Sequence, residues 1–157
     1  MTTPGTAPLT TPAPGPAVDG RVIGLAHYAS RAVLESVLAR HGLTFQQLVT
    51  LRLVSVAGAP VERDGLTGQV TESLKVDPAE ARRTVDALIA RELVAPEASR
   101  LRITDAGQAV YAGASAETAP VSARIYAGIP AADLATAGRV LALVTERANA
   151  ELAALSR

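Results

Sequence analysis

The first half of the chain has the pattern of helices, because its apolar residues recur every three or four positions. This spacing predicts a first helix over about 19–41, with Gly42 as its stop. Thr44 and Gln47 have the spacing of a capping box, so a second helix is expected to begin at Thr44. The apolar stripe of the first helix consists of Val22, Ala26, Ala29, Val33 and Val37.

Two more helices are predicted before residue 92. A short third helix is expected over about 66–74. The sequence Asp77-Pro78-Ala79-Glu80 then combines an N-cap residue, a proline in the first turn and a glutamate that completes the cap. It predicts a fourth helix over 77–91. The inward stripe of this helix is Ala81, Val85 and Leu88, and the opposite stripe is Ala79, Arg82, Arg83 and Asp86.

The period of the pattern then changes from 3.6 to 2, which is typical of β-strands. Residues 93–95 and 100–103 are expected to form two short strands joined by a turn at 96–99. Helical spacing returns at Thr104-Asp105, and Pro120 is expected to bend or interrupt the helix that begins there. After a break at 128–130, a last helix has apolar residues close to a heptad spacing, namely Leu134, Ala137, Leu141, Val144, Ala148 and Leu155.

Composition separates a tail from a globular domain. Residues 1–18 carry no charge and contain five prolines, so we expect a disordered tail followed by one domain over 19–157. The whole chain is 48% hydrophobic and 19% charged, which is a globular composition. Its formal net charge of zero argues against a protein that coats nucleic acid by bulk attraction.

Several functional classes are disfavoured by what the 157 residues lack. There is no cysteine, and the two histidines, His27 and His41, are too few for a histidine-rich metal site. No nucleophile motif or glycine-rich phosphate loop is present, so we expect neither an enzyme nor a cofactor. Without an apolar run of membrane-spanning length or a visible secretory signal, a cytoplasmic protein that does not enter membranes is expected.

The predicted order of helices and hairpin is that of a winged helix-turn-helix within a mainly α-helical protein with a small β-hairpin wing. In this module a short helix supports a second helix that enters the major groove of DNA, and the wing contacts the adjacent backbone. The fourth helix offers Arg82 and Arg83 on its outer stripe, and the second strand offers Arg100 and Arg102. Arginine can form paired hydrogen bonds with guanine edges and with phosphate oxygens.

Three segments resemble the MarR (multiple antibiotic resistance) family of transcriptional regulators. Residues 74–94, LKVDPAEARRTVDALIARELV, resemble the recognition helix of that family. Residues 43–48, LTFQQL, resemble the start of its second helix, and residues 101–107, LRITDAG, resemble the junction after its wing. The ordered set, rather than any single motif, carries the resemblance, which extends from about residue 19 to residue 155.

The resemblance implies a homodimer on a palindromic operator. Helices within 19–41 and 105–155 would interlock across a twofold axis and hold two DNA-binding lobes, each over 44–104. The apolar spacing of the last helix supports this independently, although packing within its own subunit remains the alternative. The 77–91 helix and the 93–103 wing would contact double-stranded DNA, and the candidate residues are Ala79, Arg82, Arg83, Thr84, Arg100 and Arg102.

Three features depart from the family pattern. The predicted wing tip is short and weakly cationic, and Glu92 stands where the family usually has a glycine. The segment 66–104 has no net charge, so its non-specific attraction to DNA should be weak. Its basic residues are Lys75, Arg82, Arg83, Arg91, Arg100 and Arg102, and its acidic residues are Glu72, Asp77, Glu80, Asp86, Glu92 and Glu97.

A candidate effector site lies on the first two helices. His27, Tyr28 and Arg31 are neighbours on the first helix, and Arg52 is a lone charge among leucines of the second. If these helices face each other, the four side chains would converge on a small aromatic or lipophilic acid. The alternative is that Arg31 pairs with Glu35 and that His27 lies at the dimer surface.

Two functions therefore compete. The first is a dimeric, ligand-responsive repressor that binds a palindromic operator. The second is a protein of the same fold that binds a small molecule or another protein and has weakened or lost specific DNA binding.

Overall fold

The structure is a computed structural model that describes Gly15 and residues 17–156. The predicted disordered tail at 1–18 therefore lies outside the described residues, except for Gly15, Ala17 and Val18. The helices are α1 (Gly20–Leu38), α2 (Phe45–Ala57), α3 (Arg63–Leu74), α4 (Pro78–Ala90), α5 (Asp105–Tyr126) and α6 (Ala131–Leu155), with a 3₁₀ turn at Ala39–His41. The strands are β1 (Val61–Glu62), β2 (Val94–Glu97) and β3 (Arg100–Ile103).

The described chain divides into two compact units at residue 114. The first contains α1–α4, the sheet and the start of α5, and its core is aliphatic. The second begins at Ser115 and contains the rest of α5 and all of α6. The predicted fold class, mainly α with a small β wing, is confirmed. The fully buried side chains of the first unit include Leu38, Leu51, Leu66, Val70, Val85, Leu88 and Leu101.

Helix α2 begins with the predicted capping box. The Thr44 hydroxyl accepts a hydrogen bond from the backbone N–H of Gln47 at 3.2 Å, and the backbone N–H of Thr44 donates to the Gln47 side chain at 3.1 Å. Helix α4 differs in part from its prediction. Asp77 caps it by accepting from the N–H of Ala79 at 2.7 Å, but the carboxylate of Glu80 accepts a hydrogen bond from the side chain of Gln46 on α2.

The sheet has a third strand that the pattern did not predict. Strand β1 pairs antiparallel with β3, so the order is β1-β3-β2. Two residues are too few to show an alternating pattern, which is why β1 is invisible in the sequence. Strand β2 also continues through Pro96 to Glu97, which reduces the predicted turn at 96–99 to Ala98-Ser99. Proline is tolerated there because β2 is an edge strand.

Helix α5 continues through Pro120. The sequence predicted that this proline would bend or interrupt the helix, and it does not interrupt it. Proline removes one backbone donor from a helix interior, and this leaves a carbonyl one turn earlier without its helical partner. Pro120 and Ala116 are both exposed, so water can reach the carbonyl of Ala116.

Three turns of the first unit place a residue other than glycine in the left-handed region. Lys75, Glu92 and Ala98 have φ values of 54°, 56° and 56°. Glu92 follows the end of α4, where the Leu93 N–H donates to the Leu88 carbonyl at 3.0 Å. This is the hydrogen bond of a Schellman motif, whose left-handed position favours glycine. The departure noted in the sequence therefore falls on a strained position.

Glu92→Gly is expected to stabilise the protein by about 0.5–1 kcal/mol, because it removes left-handed strain at a smaller cost in unfolded-state entropy. Urea unfolding at matched protein concentration measures the change. Glu92→Ala is the control, since it removes the carboxylate and keeps the Cβ. Equal stabilisation by both variants would show that charge, not backbone conformation, limits stability at this position.

Candidate functional site

The outer face of α4 is exposed because the opposite face of the helix is buried in the core. Ala81, Val85 and Leu88 are at most 1% exposed, while Arg82 and Arg83 are exposed, as the stripe predicted. Ala79 is half-buried beside them. Within residues 17–156, no carboxylate forms an ion pair with Arg82 or Arg83. Both guanidinium groups are therefore available to an external anion or base.

Thr84 does not belong to this exposed face, which corrects its predicted role. It is 8% exposed, and its hydroxyl lies 3.1 Å from the Glu80 carbonyl oxygen and 3.3 Å from the side-chain oxygen of Gln46. The reason is its spacing: Thr84 lies three residues after Ala81 and four before Leu88, so it shares their buried face. Thr84 attaches α4 to α2 rather than presenting a group to solvent.

Two side-chain contacts fix α4 against the preceding helices, and the sequence pattern identified neither. At its start, Gln46 of α2 donates to Glu80 and accepts from Thr84. At its end, Arg91 donates to the Gly42 carbonyl at 2.7 Å and to the Gln47 side chain at 3.3 Å. Such polar contacts join residues far apart in sequence, so periodicity could not reveal them. Together they set the direction of α4.

The wing arginines are exposed but paired. Arg100 donates to Glu62 of β1 at 2.8 Å, and Arg102 lies 3.9 Å from a carboxylate oxygen of Glu97. These side chains are each more than half exposed, and exposed ion pairs typically contribute about 0–1 kcal/mol. A phosphate could therefore replace the carboxylates, but the unbound wing has little net positive charge.

Beside the outer face of α4, Arg63 at the start of α3 forms an ion pair with Asp86 of α4. Asp86 lies four residues after Arg82 and three after Arg83, which are the spacings at which helix side chains meet. The contact with Arg63 therefore occupies the one carboxylate on that stripe. The sequence analysis missed Arg63 because nothing in its local spacing connects it to α4.

The first unit contains a small cleft of about 180 Å³. Two of the four predicted effector residues, His27 and Arg31, line it. The Arg31 guanidinium also lies 4.9 Å from the Phe45 ring centre and donates to Glu35 at 2.8 Å, so the alternative pairing of Arg31 is present. The full lining is His27, Arg31, Phe45, Gln46, Ser73, Leu74 and Val76.

The other two predicted effector residues do not line this cleft. Tyr28 is 69% exposed and makes an edge contact with the His27 ring, whose centre is 5.4 Å away. Arg52 is exposed, because it lies two residues from the buried Thr50 and Val54, about 160° around the helix from each, and so faces away from the core. The charge among leucines thus extends to water, and at this cleft the predicted convergence of four side chains does not include Tyr28 and Arg52.

The second unit presents an extended apolar surface. None of the 25 residues of α6 is buried. Leu134, Leu141 and Val144, which belong to its predicted stripe, are 36%, 42% and 41% exposed. Exposed apolar patches of this kind are typical of surfaces that contact another protein or a membrane.

No single helix among residues 17–156 is long and apolar enough to cross a membrane. Helices α5 and α6 reach that length and apolar character only when they are taken together as a bent pair, and this rests on length and composition alone.

Comparison with known proteins identifies the fold. No family sequence model and no curated protein sequence matches the chain. A MarR family regulator from Rhodococcus sp. RHA1 has a similar structure, with a TM-score of 0.68 and 20% identity over 80% of this chain and 92% of the other.

Two similar structures contain a bound partner. CouR from Rhodococcus jostii RHA1, bound to p-coumaroyl-CoA, has a TM-score of 0.69 and 20% identity over 80% of this chain and 90% of its own. A mutant MarR from E. coli complexed with operator DNA has a TM-score of 0.67 and 20% identity over 80% and 91%. The resemblance found in the sequence is thereby confirmed for the fold: this chain has the winged-helix fold of the MarR family transcriptional regulators.

Proposed function

We propose that the protein is a dimeric DNA-binding transcriptional regulator, a ligand-responsive repressor that binds a palindromic operator through α4 and the wing. The observation that carries this proposal is the outer face of α4, where Arg82 and Arg83 are exposed and form no ion pair with the described residues. A helix held at both ends by side-chain contacts and presenting two available arginines suits insertion into a major groove.

The balance of charge indicates how such binding would work. With Arg100 and Arg102 paired to carboxylates, the lobe has little bulk attraction for phosphate. The logarithm of the affinity falls linearly with the logarithm of the salt concentration, and each phosphate contact steepens this slope by about 0.9. Binding would therefore rest on a few arginines per lobe. A dimer would present them twice, and this would provide the remaining affinity for DNA.

The exposed stripe of α6 supports a homodimer. In a twofold-symmetric dimer the same patch of each subunit forms the interface, which the α6 stripe could supply. The two symmetry-related lobes would then bind the two halves of a palindromic operator. The operator complex of the E. coli MarR mutant supports double-stranded DNA as the partner. Because the similar structures are regulators, we assign no enzymatic activity.

The cleft beside His27 and Arg31 is the candidate effector site. A cationic group above an aromatic ring, with Leu74 and Val76 nearby, suits a small aromatic or lipophilic acid. The acyl-CoA bound to CouR supports ligand response in a protein of this fold.

The double variant Arg82→Ala/Arg83→Ala is expected to lose operator binding. In a gel shift with the DNA that flanks the gene, the native protein should bind below micromolar concentration and weaken as salt rises. Arg52→Glu makes the same change of two charge units at one exposed position on α2 and should bind like the native protein. Equal binding by the Arg82/Arg83 variant would contradict the assignment of α4 as the DNA-contacting helix.

The second candidate function, a small-molecule or protein-binding module without specific DNA binding, is favoured by the paired wing arginines. It predicts no shift of the flanking DNA by the native protein, together with a rise in melting temperature when benzoate or salicylate is added. The gel shift separates the two functions, because a ligand-responsive repressor predicts the same rise in melting temperature.

A further inference from the structure

The two arginines of α4 differ in their position around the helix. Successive residues of an α-helix are about 100° apart, so Arg83 lies about 160° from both Ala81 and Val85, which are the centre of the buried face. By the same geometry Arg82 lies about 100° from Ala81 and about 60° from Val85. Arg83 is therefore on the crest of the exposed face, and Arg82 is on its flank.

The surroundings of Arg83 leave its side chain room to extend. One turn earlier on the same line is Ala79, and seven residues later is Ala90, both small. Asp86, the carboxylate within reach along the helix, is held by Arg63 of α3. The crest of α4 is thus narrow, with a single long cationic side chain near its middle.

When a helix lies in a major groove, side chains on its crest meet base edges and those on its flanks meet the phosphates of the groove walls. We propose that Arg83 reads a guanine edge and sets sequence preference, whereas Arg82 contacts the phosphate backbone. This assignment rests on the proposed DNA-binding function. Guanine is the expected base because its O6 and N7 accept the two parallel hydrogen bonds of a guanidinium group.

The test compares single variants on two duplexes, the operator segment found by the gel shift and a scrambled duplex of equal length and composition. Fluorescence anisotropy over a series of salt concentrations gives the affinity ratio and the salt slope. Arg83→Ala should reduce the ratio at least about 10-fold, because it removes the paired contact with guanine, whereas Arg83→Lys should reduce it less, since lysine keeps the charge and two donors but lacks the planar fork. Arg82→Ala should weaken both duplexes equally and reduce the slope by about 1.8, counting two subunits.

Modified operator DNA identifies the base contact directly. In 7-deazaguanine the N7 acceptor is absent, so replacing every guanine of the operator should weaken binding by the native protein. Arg83→Ala should be insensitive to this replacement, because alanine has no donor and the contact is already lost.

The results distinguish an error in the roles of Arg82 and Arg83 from an error in the DNA-binding function. If Arg83→Ala keeps the native affinity ratio while the native protein still prefers its operator, the assignment of Arg83 is wrong and the DNA-binding function stands. If Arg82→Ala loses the ratio instead, the two roles are reversed. If the native protein shifts no DNA, both the proposed function and this inference are overturned.

Discussion

Gly107→Ala is expected to destabilise the first unit by more than about 4 kcal/mol, an unusually large effect for one methyl group. A Cβ at this position would lie 2.0 Å from the Leu93 carbonyl oxygen and 3.0 Å from the Ile103 side chain. The carbonyl cannot easily move away, because it accepts a hydrogen bond from the Thr104 N–H at 3.1 Å. Helix α5 and the start of the wing therefore approach each other through Gly107.

Urea unfolding followed by circular dichroism measures this effect. Gly68→Ala is the matched control, since Gly68 lies in α3 with no atom within 4 Å of its added Cβ. Alanine favours a helix over glycine, so this control should gain up to about 1 kcal/mol. Native-like stability of Gly107→Ala would mean that the close approach of Leu93 to α5 does not exist in solution.

Leu141→Glu/Val144→Glu is expected to convert the protein to a monomer and to abolish operator binding. Both positions lie on the exposed stripe of α6, so a dimer formed through that stripe would bury four carboxylates. Removing an unpaired charge from water costs several kcal/mol per ion, which exceeds what the packing of one helix stripe can offset.

Light scattering after size exclusion gives the oligomeric state, and a gel shift gives DNA binding. Ala150→Glu adds a carboxylate to the opposite side of α6 and should leave both properties unchanged. If the Leu141/Val144 variant remains a dimer, the subunits associate through another surface. If it is monomeric and binds the operator like the native protein, dimerisation is not required for recognition.

The elements recovered from sequence are those that depend on local signals. Thr44 with Gln47, and Asp77 with Pro78, define helix starts within a few residues, so α2 and α4 begin where the pattern predicts. The buried and exposed stripes of α4 also follow from its period alone. The existence of an arginine-bearing outer face was therefore predictable, and the same period places Thr84, three residues after Ala81 and four before Leu88, on the buried side, although the sequence prediction assigned it to DNA contact.

The remaining features depend on contacts between distant residues. Strand β1 exists because Glu62 and Val61 pair with β3, some 38 residues later, and two residues alone carry no period. A separation of 23 residues likewise hides the pairing of Arg63 with Asp86. Arg52 was misplaced for a related reason: a charge among leucines signals either a buried partner or an extension to water, and only the packing around Leu51 distinguishes them.

Gln46 belongs to two places at once, since it lines the cleft and holds the first turn of α4 through Glu80 and Thr84. A molecule that entered the cleft and took over its amide would compete with the attachment of α4. A hydrogen bond to a charged group contributes about 1.5–3 kcal/mol, so this competition could change affinity at α4 by at most about 10- to 150-fold. Thermodynamic linkage makes the effect reciprocal, so whatever stabilises this position of α4 would lower the affinity of the cleft for such a molecule by the same factor.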